Sequence, residues 1–193
     1  MSTIFIIHGS YGHPGENWFP WLKEELEKLG HRVFVPRFQI PKDEDPKYGG
    51  HKLSEWLETM NQYKEYINED TILVGHSRGC IFIFRLLEQL RTRVKAVFLV
   101  GPWITRWTTP TGWDTVDSFH KNSFEWEKIK QESNYFEIYQ STNDEIPVSE
   151  GTEVARLLGG ALRVVKNAGH FNIARDPKYK TFELLLENIK KKL

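Results

Sequence analysis

The chain has 193 residues, with 26 basic and 26 acidic side chains, a formal net charge of zero, and 13% aromatic residues including seven tryptophans. That length suits one domain over residues 1–193, and the balanced charge supplies no field to draw in nucleic acid or an anionic membrane. A single cysteine, Cys80, excludes an internal disulfide and a thiolate zinc site.

The opening MSTIFIIHGS has neither the basic flank nor the apolar length of a signal peptide, and no stretch approaches the ~18 apolar residues of a membrane span. A soluble, cytoplasmic protein is therefore expected. TIFIIH (3–8) is the first strand-like run, followed by an amphipathic segment in which Phe19, Leu22, Leu26 and Leu29 share a face up to Gly30. RVFVP (32–36) precedes a second helix marked by Leu53, Leu57, Met60 and Ile67. TILVG (71–75) runs into a third helix that begins at Ser77 and continues through RGCIFIFRLLEQL. After KAVFLV (95–100), residues 101–122 show no period and contain three tryptophans and two prolines, a length more often functional than idle. YFEIYQ (135–140) and LRVVK (162–166) complete the strands. A last helix is capped by Asp176, has Pro177 in its first turn, and faces Phe182, Leu186 and Ile189 inward.

Most of these strands are continuous apolar runs, as in sheets buried on both faces. The alternation predicts an α/β fold: a mostly parallel sheet of about six strands with helices on both faces.

The centre of the chain reads LVGHSRGCIF (73–82), and Gly75-His76-Ser77-Arg78-Gly79 is G-x-S-x-G at a strand-to-helix switch. Such a turn is tight enough to strain the serine and to require glycine on both sides. Its product is an exposed hydroxyl over a helix N-terminus, a nucleophile's environment. A serine needs a base, and the base needs an orienting acid. His170, in KNAGHFN after the last strand, and Asp144, in QSTNDEIPV after the fifth, follow Ser77 in the order Ser, Asp, His and at the same carboxyl edge. His31 precedes a strand, at the opposite edge, whereas His51 and His120 fall in loops.

The oxyanion hole is expected from the backbone N–H of Arg78 and a donor in the turn HGSYGHPG (8–15), either Ser10 or Tyr11. That turn spaces its glycines G-x-x-G-x-x-G, and Val35-Pro36 ends the second strand without an acidic residue, so it is no dinucleotide fingerprint. There is no HExxH or CxxC for a metal, Cys80 reads as a small core residue, and no cofactor is expected. The loop after KAVFLV should wall the substrate pocket with Trp103, Trp107 and Trp113, facing Tyr11, with Phe171 closing a side and Trp18 divided between pocket and core. A short apolar acyl pocket would follow; Arg78 near its mouth reads as a solvated helix-start arginine, with an anionic handle as the alternative.

With NWFPWLKEEL, GHSRG, EWEKIK, STNDEIPV and NAGHFN in place, the whole chain resembles the small serine hydrolases related to retinoblastoma-binding protein nine, a compact branch of the α/β-hydrolases. The resemblance implies a lidless core, a Ser77–His170–Asp144 triad with the acid at Asp144 rather than Glu145, and esterase-like action on small substrates. The stretch before the nucleophile strand, YINEDTILV, has no cysteine and departs from the L-x-C-x-E pattern of the retinoblastoma-binding members, so no retinoblastoma-type partner is expected. The expectation is a hydrolase of small esters, thioesters or amides. The alternative is a protein-binding module that uses the aromatic loop on the same scaffold.

Overall fold

In the computed structural model the described residues are 1–41, 50–105, 118–120 and 122–193. Among them six strands form one parallel sheet: β1 (Thr3–Ile7), β2 (Arg32–Phe34), β3 (Thr71–His76), β4 (Ala96–Val100), β5 (Phe136–Ser141) and β6 (Ala161–Val165). Their order across the sheet is β2-β1-β3-β4-β5-β6. The helices are α1 (Phe19–Lys28), α2 (Leu53–Asn61), α3 (Arg78–Leu87), α4 (Trp126–Gln131), α5 (Val148–Leu158) and α6 (Glu183–Lys190). The α/β architecture implied by the alternating pattern is the observed one.

Alternate residues of each strand point to opposite faces, and both faces are covered. Phe5, Ile7, Leu73, Val97 and Leu99 pack with Trp56 and Met60 of α2, the apolar face of α3, and Val154 and Leu158 of α5. Ile4, Ile6, Ile72, Val74, Phe98 and Val100 pack with Phe19, Leu22 and Leu26 of α1 and Leu185, Leu186 and Ile189 of α6. The unbroken apolar runs in the sequence are therefore the two sides of one sheet. Among the described residues no helix is long and apolar enough to cross a membrane.

Two helical expectations are corrected. The period from Leu53 to Ile67 is split, with α2 ending at Asn61, a 3₁₀ turn at Lys64–Tyr66, and Ile67 already extended. Asp176 does cap, accepting from the Lys178 N–H at 3.0 Å, but what it caps is a separate 3₁₀ turn, Pro177–Lys180. Thr181 (φ −130°, ψ 158°) and Phe182 (φ −144°, ψ 74°) then leave helical geometry, so α6 starts afresh at Glu183, while the Tyr179 ring packs inward against Phe171 and Phe182.

The register brings the chemistry to one edge. Ile7 lies beside Gly75, His76 beside Val100, and Val100 beside Tyr139. The segments leaving β1, β3, β4 and β5 thus emerge side by side at the carboxyl ends of the strands, where open α/β sheets bind ligands.

Candidate active site

β3 ends at His76 and α3 begins at Arg78, so Ser77 alone makes the turn. It does so at φ 55° and ψ −123°, a conformation that costs a non-glycine residue about 1–3 kcal/mol. The Ser77 N–H donates to the Val100 carbonyl at 2.8 Å and its own carbonyl accepts from Cys80 N–H at 2.9 Å, which holds the strained residue from both sides. The flanking glycines are required by close approach. A Cβ on Gly79 would stand 2.3 Å from the Ile7 carbonyl oxygen, and one on Gly75 would stand 2.9 Å from the Cys80 nitrogen. Cys80 is fully buried, its thiol lies 3.4 Å from the Val100 carbonyl, and burial pushes its pKa up. It is a core residue, as its position one turn into the helix suggested.

Asp144 and His170 meet directly: Nδ1 of His170 is 2.7 Å from Oδ2 of Asp144. Because a carboxylate only accepts, Nδ1 is the donor in this contact. The Asp144 side chain is 2% exposed, whereas Glu145 is turned outward against Arg175. Asp144 Oδ1 also accepts from Ile146 N–H at 3.2 Å, so the Asx turn and the histidine contact share one carboxylate.

Four neighbouring residues of each loop pair across this junction. Thr142 Oγ1 accepts from Asn167 N–H (3.0 Å), Ser141 Oγ from Ala168 N–H (3.0 Å), Asn143 Oδ1 from Gly169 N–H (2.8 Å), and Asp144 from His170. Adjacent β5 and β6 bring these turns together, and the short polar run Ser-Thr-Asn-Asp then fixes a backbone with positive φ at Asn167, Gly169 and Phe171.

His76 ties the elbow to this loop. Its Nε2 donates to the His170 carbonyl at 2.8 Å, and the two rings lie 5.0 Å apart. Burial first, then the neighbouring His170, pushes the His76 pKa from 6.5 down to about 3. The ring is therefore neutral and its tautomer is set by the carbonyl it serves. His8, also buried, donates from Nδ1 to the Gly9 carbonyl at 2.9 Å and accepts the Phe38 N–H at Nε2 (3.2 Å); burial lowers its pKa as well.

The turn after β1 lies against the elbow. Ser10 Oγ accepts from Arg78 Nε at 2.7 Å. The Tyr11 N–H donates to His51 Nε2 at 3.2 Å, with the two rings 4.7 Å apart. Of the residues expected to line the pocket, Tyr11 and Trp103 are half-buried, and the Arg78 guanidinium lies 6.0 Å from the Trp103 ring. Trp107 and Trp113 lie outside the described residues.

Phe171 is a correction. It is 0% exposed, stacked on Phe182 and edge-on to Tyr179, so it is core beneath the loop and not a pocket wall. Trp18 is core too, and its Nε1 donates to the Phe171 carbonyl at 3.0 Å.

Three contributors were not read from the sequence. His76 stood in the elbow motif itself, at a position the motif leaves open. His51, in a loop by sequence, is 5% exposed, its ring against that of Tyr11. Glu150, in the first turn of α5, accepts from the Ile104 and Thr105 N–H groups at 2.6 and 3.0 Å and from the Thr105 hydroxyl, securing the root of the segment after β4. Nothing in its local sequence distinguishes Glu150 from a solvated helix carboxylate.

Known proteins share this arrangement of strands. Bacillus subtilis YdeN is 33% identical over 171 residues, covering 87% of this chain and 85% of YdeN. The serine hydrolase RBBP9 of Rattus norvegicus is 29% identical over 157 residues, covering 80% of this chain and 77% of its own. The crystal structure of YdeN superposes with a TM-score of 0.84 over 99% of this chain and 98% of that one, at 29% identity. An extracellular α/β-hydrolase from a Paenibacillus species shares the fold at TM-score 0.66, 17% identity, and coverage of 100% and 99%. Residues 4–188 match the family described as serine hydrolase, and the chain belongs to that family.

Proposed function

We propose that this serine hydrolase cleaves small carboxylic esters through an acyl-enzyme, with Ser77 as nucleophile, His170 as general base and acid, and Asp144 as the orienting carboxylate. The observation that carries the reading is the 2.7 Å contact from His170 Nδ1 to a buried Asp144 carboxylate, at the same sheet edge as a serine strained to φ 55°. With its Nδ1 proton directed to Asp144, the neutral ring offers the Nε2 lone pair to take the Ser77 proton as Oγ bonds to the ester carbonyl carbon. The carbonyl π electrons move to oxygen, and the backbone N–H groups of Ser10 and Arg78 stabilise that charge. Tyr11 is the weaker second donor because its N–H is already given to His51. Collapse expels the alcohol, which takes the proton back from Nε2, and water repeats the sequence to release the acid.

Thioesters and amides follow the same course with a thiol or amine leaving. The half-buried Trp103 ring, 6.0 Å from the Arg78 guanidinium beside the elbow, supports a preference for a short acyl group. The test is fluorophosphonate labelling together with hydrolysis of p-nitrophenyl acetate. Label on Ser77 and loss of turnover in Ser77→Ala support the reading; a Ser77→Ala variant within about tenfold of wild type overturns it.

A further inference from the structure

The proposed oxyanion hole draws its two N–H groups from segments 68 residues apart, and only one of them is held by regular structure. Arg78 opens α3, whereas Ser10 lies beyond β1, in a turn whose own backbone bond is Gly12 N–H to the Gly9 carbonyl. That turn touches the elbow: a Cβ on Gly9 would be 2.9 Å from the Ser77 Cβ. A small displacement there would move the Ser10 N–H relative to the reacting carbonyl.

The Arg78 side chain spans this gap. Its Nε donates to Ser10 Oγ at 2.7 Å, the length of a strong charge-assisted bond. Its guanidinium carbon lies 5.2 Å from the Phe119 ring centre and 6.0 Å from that of Trp103. Two aromatic faces and a rigid planar fork hold a geometry that a flexible ammonium would not.

Building on the hydrolase reading above, we propose that the Arg78 side chain is a positioning residue for the oxyanion hole, holding the Ser10 N–H in register with the N–H that Arg78 itself contributes. The Ser10 hydroxyl then matters to the rate although it touches no reacting atom. The substitution Ser10→Ala leaves both N–H groups present and releases only the clamp.

The experiment compares wild type with Ser10→Ala, Ser10→Thr, Arg78→Met and the Ser10→Ala/Arg78→Met double variant. The readouts are kcat and KM for p-nitrophenyl acetate, affinity for phenylboronic acid as a tetrahedral adduct, and fluorophosphonate labelling. Ser10→Ala and Arg78→Met should each lower kcat roughly tenfold or more with KM within about twofold, short of the loss of a whole donor. Boronate affinity should fall in step. The double variant should stay within about threefold of the worse single one, because Ser10→Ala removes only a bond that Arg78→Met already removes. Ser10→Thr keeps the acceptor and should recover most of the kcat that Ser10→Ala loses. Losses that multiply in the double variant, or a Ser10→Ala with wild-type kcat, overturn the clamp while Ser77 still labels. Failure of wild type to label at Ser77 overturns the hydrolase reading and the clamp with it. If Arg78→Met does not fold, Ser10→Ala against Ser10→Thr decides alone.

Discussion

His76 and His170 are joined by an imidazole N–H to carbonyl bond of 2.8 Å, so the residue before the candidate nucleophile holds the backbone of the candidate base. The Trp18 indole holds the next carbonyl, that of Phe171, from the same side of the sheet. The His170 loop is thus pinned twice from the core and four times from the Ser141–Asp144 turn. Its imidazole has little freedom to drift from the elbow.

The first prediction concerns that bond. His76→Phe keeps an aromatic ring among Trp18 and Phe19 but removes the donor. The kcat for p-nitrophenyl acetate should fall by as much as about 10²-fold with little change in KM, as expected when a catalytic group is slightly misplaced. His76→Gln, which retains an N–H, should recover part of the loss. Equal kcat in both variants would show that the bond does not position the base.

The second concerns acid stability. His76 is neutral when folded, its pKa held near 3, but titrates near 6.5 once the chain unfolds. Below pH 6.5 the unfolded chain therefore binds the extra proton, and stability falls as the pH drops toward 3. The limiting slope is about 1.4 kcal/mol per pH unit for one such group. His8, lowered by burial, adds in the same direction. Melting temperature should drop between about pH 7 and pH 5, and less steeply in His76→Gln. Parallel curves would mean that His76 does not contribute to this dependence.

Much of this was legible because it follows from local rules. The central strands β1, β3 and β4 read as apolar runs since each is buried on both faces, and Ser77 read as an elbow since only glycine fits at 75 and 79. Asp144 and His170 followed from chain order and strand ends. What stayed hidden depends on which side of a turn points inward. Phe171 follows the candidate base yet lies under the candidate site, its ring in the core and its φ positive. His51 and Glu150 act across 40 and 46 residues of sequence on backbone N–H groups, and an N–H leaves no mark in a sequence.

The third prediction separates two adjacent carboxylates. Asp144→Asn keeps the shape but turns an obligate acceptor into an amide, and His170 can then adopt the other tautomer. kcat should fall by about 10⁴-fold if the pair works as in other triads. Glu145 is exposed and bonded to Arg175, so Glu145→Gln should change kcat by less than about threefold. Reversed effects would assign the acid to Glu145.

The last prediction concerns the segment after β4, whose tryptophans are expected to bound the acyl pocket. Its root is fixed by a carboxylate distant from the elbow in sequence: Glu150 accepts from two backbone N–H groups and the Thr105 hydroxyl. Glu150→Ala leaves those N–H groups without a charged acceptor and should lower stability by roughly 1–3 kcal/mol. The reacting groups stand elsewhere, so kcat/KM for p-nitrophenyl acetate should stay within about threefold of wild type. Loosening the wall should act on longer acyl chains instead. The octanoate-to-acetate ratio of kcat/KM should rise by about tenfold or more, the scale on which a hydrophobic pocket discriminates added methylenes. Trp103→Ala should shift the same ratio, since that ring borders the Arg78 guanidinium. A ratio unchanged in both variants, with folding verified by melting, would mean that this segment does not limit the pocket.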